Sequence, residues 1–256
     1  MSRIIAFTTR NIKEMLRDPL SYIFCLGFPI VMLLVMTLVN SSIPPEANMT
    51  VFRIDNLCGG IAMFGLTFVM LFTALSVSKD RTCAFLVRMY ATPMTSSDFS
   101  LGYLLPMLII SVVQMFITFT ASFVISLMTG VSLSIPGILL SIVTLIPAAV
   151  FFTGIGLLFG TLFSDKAAPG LCSVVISLGS FLGCVFFDAD STGGIMLTVC
   201  KCLPFYYCTK AARSAAALDL SAENLLIPLL IVCVSAAVIT ALAIVVFNSR
   251  MKADLA

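Results

Sequence analysis

The chain has 256 residues, 60% of them hydrophobic and only 10% charged, with a formal net charge of +2 and a mean hydropathy of +1.15. That usage excludes an ordinary water-soluble domain, and a charge balance so close to neutral leaves no nucleic-acid partner to expect. Cleaved secretion is excluded too, because the first apolar run is too long for a signal peptide and no small-residue cleavage site follows it.

Six continuous apolar runs predict an all-α membrane protein, a single transmembrane domain over 1–256 with six transmembrane helices, at about 20–39, 57–78, 101–128, 136–163, 168–187 and 225–247. None contains Asp, Glu, Lys or Arg. At about 1.5 Å of rise per residue, such runs can cross a hydrocarbon core of roughly 30 Å with some tilt. A membrane barrel would instead alternate apolar and polar residues in segments of about ten.

Six spans place both termini on one side. That side, with residues 79–100 and the 164–167 turn, carries Arg3, Arg10, Lys13, Arg17, Lys79, Arg81, Arg88, Lys166, Arg250 and Lys252, against Arg53, Lys201, Lys210 and Arg213 on the other. The positive-inside rule therefore predicts cytoplasmic termini in the cell membrane.

Residues 1–19 predict an amphipathic interfacial helix. Arg3, Arg10, Lys13 and Arg17 fall within about 80° on a wheel of roughly 100° per residue, and Ile4, Ile5, Ile12, Met15 and Leu16 lie opposite. A plain positive anchor is an equal reading. Asp18-Pro19 breaks the chain before the first span.

The second run mixes Phe, Met and small residues, a blend suited either to a pathway for an amphipathic molecule or to simple helix packing. After it, Phe85, Leu86, Val87, Met89 and Tyr90 form a short apolar patch flanked by Lys79, Arg81 and Arg88. Such a patch suits a groove on a partner or the membrane surface. Thr95-Ser96-Ser97-Asp98 supplies N-cap chemistry for the third helix.

Within the third run, Gln114 is the only amide well inside the membrane, with Ser111 and Thr118 at helical spacing, and a bond to a neighbouring helix is expected. Gly154, Gly156 and Gly160 in the fourth run, and Gly179 and Gly183 in the fifth, allow close helix approach, either within the chain or between subunits. Residues 188–224 are the largest segment on the outer side. Its Cys200, Cys202 and Cys208 have no zinc spacing and are odd in number, so free thiols are expected.

The order of several motifs resembles type-2 ABC exporter permeases, the membrane subunits of bacterial drug-export-like ABC transporters. Residues 10–19, Arg-Asn-Ile-Lys-Glu-Met-Leu-Arg-Asp-Pro, lead into a span with Pro29 as that family's first segment does. Arg88-Met89-Tyr90-Ala91-Thr92-Pro93, followed by Leu101-Gly102-Tyr103-Leu104-Leu105, resembles its first cytoplasmic loop, and Leu203-Pro204-Phe205-Tyr206-Tyr207 with Lys210-Ala211-Ala212-Arg213 resembles the segment before its last span. Family members often have a Gly-Thr pair and a Glu where this chain has Ala84, Phe85 and Val87, and a Lys where it has Tyr103.

The resemblance implies a cytoplasmic coupling helix between helices 2 and 3, seated on an ATP-binding cassette ATPase subunit through Asp80, Arg81, Phe85, Leu86, Arg88 and Met89. It implies a second permease copy, as homodimer or related heterodimer, with Thr67, Phe68, Ser177 and Phe181 along the translocation path. It also makes 188–224 an extracellular re-entrant segment.

Independent of resemblance, the chain lacks a Gly-x-x-x-x-Gly-Lys-Ser/Thr loop and has no histidine. No cofactor is expected in it, ATP and Mg being left to the partner subunit, and no metal or catalytic residue. The reading is a permease subunit for a lipophilic or amphipathic substrate. An ion-coupled carrier is the alternative within transport, and a membrane-embedded enzyme the alternative outside it.

Overall fold

In the computed structural model, residues 2–44, 50–83, 94–187 and 193–255 are described, and all their regular structure is helical. Helix α1 is Ser2–Met15. A short α2, Pro19–Tyr22, runs through a π-helical turn, Ile23–Gly27, into α3, Phe28–Ser42. The long helices follow: α4, Ile54–Thr82, α5, Ser96–Thr129, and α6, Ile135–Leu162. Then come α7, Ala168–Leu182, α8, Gly194–Lys201, and α9, Pro204–Ala216. A second π-helical turn, Ala222–Leu226, opens α10, Ile227–Leu255.

Short polar side chains set several of the boundaries. Asp18 caps α2 by accepting from the Leu20 N–H at 3.1 Å, with Pro19 at the first helical position. Thr95 and Asp98 close a reciprocal capping box on α5, at 2.9 and 3.3 Å. The same helix stops at Gly130, whose φ of 73° is left-handed and suits a residue without Cβ. Ser134 and Pro136 begin α6 in the same manner.

Among the described residues, five helical stretches are long and apolar enough to cross a membrane: Ile23–Ser42, Ile54–Thr82, Ser97–Thr129, Ile135–Leu162 and Ala222–Arg250. The fifth predicted run departs from expectation. Its helix, Ala168–Leu182, has 15 residues, or about 22 Å, short of a full crossing. The helix ends because Cys184 turns to a φ of 55°, a conformation that cannot continue it.

Helix α4 is central and packs on α3, α5, α6, α7 and α9. Its closest partner is α6, because Gly156 and Gly160 let the two backbones meet. A Cβ at Gly156 would strike the Met70 carbonyl and stand 2.6 Å from Thr73 Cβ, and one at Gly160 would stand 2.6 Å from the Ala74 carbonyl oxygen. Gly154 faces α10 through Ile239 and Thr240, and Gly179 faces Thr67 of α4. The glycine motifs are therefore used for packing inside this chain.

Chain ends and helix ends sort into two groups. Phe7 of α1, Val77 of α4, Phe99 and Tyr103 of α5, Leu157 of α6 and Phe247 of α10 share one buried cluster, so α1 and the far end of α10 lie at the same end of the bundle. At the opposite end, α9 packs on α4, α6 and α10; Gly137 of α6 abuts the Ala216 carbonyl, and Ser141 donates to the Ala212 carbonyl at 3.0 Å.

Candidate functional site

Asp80 lies two residues beyond the apolar run predicted to end at Ser78, on the last turn of α4, and is 4% exposed. A carboxylate there must be partnered. Arg10 of α1 binds it with both guanidinium nitrogens, at 2.6 and 3.1 Å, and the Tyr103 hydroxyl of α5 donates to it at 2.7 Å. Burial alone would lower the Arg10 pKa, but the Asp80 hydrogen bond and the charges of Asp80 and Glu14 raise it overall, so the cation is secure.

Around this pair the α1 end is tied by further bonds. Asn11 donates to the Gly102 carbonyl at 2.9 Å, and Phe7 stands edge-on to Phe99 and Tyr103, at 5.5 and 5.1 Å. Lys79 reaches Glu14 at 3.1 Å. Arg81 donates to the Thr161 carbonyl near the end of α6. The three helices α1, α5 and α6 are thus all fastened to the last turn of α4.

Helix α1 packs through Phe7, Asn11 and Met15, a stripe lying between the basic and apolar faces read from the wheel. Met15, expected on the outward apolar face, is buried, whereas Ile5 and Leu16 are exposed. Arg10 and Tyr103 are the residues at this end that sequence reasoning missed. The available signal was the lone carboxylate closing an apolar run, which demands a donor.

Of the residues read as contacts for an ATPase, Asp80 and Arg81 are engaged inside the chain as described. Phe85, Leu86, Arg88 and Met89 lie outside the described residues.

The residues read as a path wall do not form one surface. Thr67 is buried between α4 and α7 and donates to the Phe64 carbonyl at 2.6 Å. Phe68 belongs to a ladder of rings on another side of α4. Phe64, Phe68 and Phe72, four residues apart, meet Phe24 and Phe28, and Phe186 closes one end: Phe28 and Phe68 are 5.0 Å apart, Phe24 and Phe68 are stacked at 6.2 Å, and Phe64 and Phe186 are 5.8 Å apart. Ser177 and Phe181 are exposed on the outer side of α7, away from Thr67.

Gln114 reaches α4 as expected, donating to the Ala62 carbonyl at 3.4 Å and to Thr118 at 3.1 Å, while its own carbonyl oxygen is buried without a partner. All nine cysteines are free thiols. Among the described residues, no group of three or more His, Cys, Asp or Glu side chains could hold a metal ion.

The model of the ABC-2 type transporter membrane family aligns with residues 2–217. The chain belongs to that family. This ABC-2 permease is therefore a multi-pass membrane protein of a transport family that is not itself catalytic and that normally works with an ATP-binding subunit. A comparison with curated proteins returned no match.

Proposed function

We propose that this ABC-2 permease is the membrane subunit of an ATP-driven exporter in the cell membrane. It pairs with a second copy and with two ATPase subunits, and its termini and residues 79–100 face the cytoplasm. The observation that carries this reading is the fastening at the end of α4. Any push on residues 84–93 enters α4 at Cys83, one turn from Asp80, where Arg10, Tyr103 and Arg81 spread it to α1, α5 and α6. A segment that must transmit a partner's movement needs this rigidity at its base.

The open ring ladder of Phe24, Phe28, Phe68 and Phe72 supports a lipophilic or amphipathic substrate, since flat apolar rings bind apolar surface without charge. In this reading Ser177 and Phe181, exposed on α7, line the path only once a second copy completes it, Thr67 packs α4 on α7 and stays out of it, and 188–224 caps it on the outside.

Co-purification tests the proposal. The tagged chain, extracted in mild detergent, should bring down a protein with a phosphate-binding loop, and Phe85→Asp or Leu86→Asp should release that partner or uncouple its ATP hydrolysis while the permease remains inserted. A chain that purifies without any ATPase would sink the exporter reading. An intact, fully coupled Phe85→Asp complex would remove only the role given to 79–100.

A further inference from the structure

A polar cavity of about 230 Å³ lies at the α9 end, where α9 meets the start of α4 and the second π-helical turn. Asn56, Thr209, Lys210, Arg213, Ser214 and Asn224 are among its lining residues. At roughly 30 Å³ of liquid volume per water, it has room for several waters or one small charged group.

Two cations from consecutive turns of α9 face this space. Arg213 is held in place by backbone carbonyls, its Nε donating to Asn56 at 2.9 Å and its Nη2 to Val185 at 3.2 Å. Lys210 stands 5.9 Å from the centre of the Tyr206 ring and makes no ion pair among the described residues. The nearby carboxylate, Asp219, already accepts from Asn224 at 2.7 Å and from the Ser221 N–H at 3.1 Å.

Thr209 is the independent observation that points to a ligand. Hydroxyls on helices ordinarily bond back to a carbonyl three or four residues earlier, as Thr73, Ser111, Ser122, Thr153 and Thr161 do here. The hydroxyls of Thr8, Thr209 and Thr240 have no such partner, and of these three Thr209, 1% exposed, lines the cavity. A buried donor left empty is costly, so a ligand oxygen is the natural acceptor.

The cavity at the other end gives the contrast. It measures about 350 Å³, and Glu14 and Asp18 there balance Arg17 and Lys79. Of these two cavities, the one at α9 combines excess positive charge with an unused buried hydroxyl.

We propose that this cavity binds a phosphate-type oxyanion, with the Lys210 ammonium and the Thr209 hydroxyl donating to its oxygens and Arg213 supplying the fixed second charge. The group comes from a phospholipid head or from a soluble phosphate compound. The cavity's place at the level where α4 begins admits both. The assignment is independent of what the permease transports.

The test uses the full chain, purified in mild detergent with any ATPase that accompanies it. In one arm its melting temperature is followed against inorganic phosphate, with chloride at matched ionic strength as control. In the other, retention of phosphatidylglycerol is compared with that of phosphatidylcholine by native mass spectrometry. A saturable rise with phosphate assigns a soluble ligand, and selective retention of the anionic lipid assigns a headgroup.

Lys210→Gln should weaken whichever response is seen by about tenfold or more, the loss of one charge-assisted hydrogen bond. Thr209→Val should weaken it by a smaller factor, and Lys201→Gln, outside the cavity, should leave it unchanged. Absence of both responses, or a response equal in Lys210→Gln, would overturn the proposal. Lys210 is only half-buried, so that variant decides the matter even where Thr209→Val does not fold.

Discussion

Helices α4 and α10 are both 29 residues long, and α10 is the more apolar, with a mean hydropathy of 3.0 in its span against 2.1 for α4. Yet 78% of the α4 window is buried inside the protein and only 17% of the α10 window. In water the greasier helix would hold the centre. In lipid, apolar surface gains nothing by turning inward, so the centre goes to the helix whose glycines and hydroxyls permit close contact, and the greasiest helix is left facing the acyl chains.

The largest test of that contrast is steric. Gly156→Leu should cost about 3 kcal/mol or more, because its side chain collides with α4 backbone. Ala241→Leu, on an exposed face of α10, should change stability by less than about 0.5 kcal/mol. Reversible unfolding of the two variants in mixed micelles compares them directly; equal losses would mean that α4 is not the packed centre.

Next comes the charge fastened to the end of α4. Asp80→Ala leaves Arg10 and Tyr103 without their acceptor and should cost about 2–3 kcal/mol, below the range for a fully buried pair because Arg10 is 34% exposed. Tyr103→Phe should cost about 1 kcal/mol. Tyr103→Lys, which places another donor toward Asp80, should cost less than Tyr103→Ala. Reversal of that order in the same unfolding assay would count against Asp80 as the anchor.

Cysteines read the contrast without any mutation. Cys58 of α4 is buried and Cys233 of α10 is exposed, so a lipid-soluble maleimide should modify Cys233 at least about tenfold faster. Outside the spans, Cys202 should react readily, while Cys208, enclosed at the α9 end and pushed up to about 12 by its burial, should stay protonated and inert at neutral pH. Mapping the labelled sites by peptide mass settles the ranking.

A smaller effect is expected at Gln114. Its unpartnered carbonyl oxygen offsets much of what its two donated bonds contribute, so Gln114→Leu should shift stability by no more than about 0.6 kcal/mol, provided that the leucine fits beside Gly65.

The smallest effect should be electrostatic. The Asn224 hydrogen bond, then the Ser221 N–H, holds the Asp219 carboxyl below its ordinary value of 3.8. The unfolded chain therefore binds this proton first as pH falls. The stabilisation is complete above the ordinary value and is lost as pH drops through the depressed one. Melting curves between pH 5 and 3 should fall slightly less steeply for Asp219→Asn than for the parent chain.

Much of the fold was legible in the sequence. The long apolar helices follow from the charge-free runs, although α4 and α10 continue past them through charged residues, and Asp18-Pro19, Thr95 and Asp98 mark helix starts by ordinary capping chemistry. What could not be read was orientation. A helix apolar on every side carries no amphipathic signal, so nothing in residues 168–182 said that Ser177 and Phe181 would face outward while Gly179 faced α4.

The α1 end was half legible for a similar reason. Asp80 stood out as a charge, but its partners lie 70 residues before and 23 after it, and no local pattern joins such distant positions. Tyr103 read as a departure from a familiar lysine, and its hydroxyl donates to Asp80. The buried stripe Phe7, Asn11, Met15 escaped the wheel because one of its three members is polar and donates to a carbonyl 91 residues away, at Gly102.

The shortness of α7 has a consequence for the surrounding lipid. A helix of about 22 Å in a core of roughly 30 Å produces hydrophobic mismatch, relieved by a dimple in the bilayer or by unwound chain filling the remaining depth. Gly183, Cys184 and Val185 do the latter, each N–H bonding back into the helix while the Val185 carbonyl accepts from Arg213. The bilayer beside α7 therefore need not thin, because the depth that the helix lacks is taken up by chain whose backbone donors are already paired.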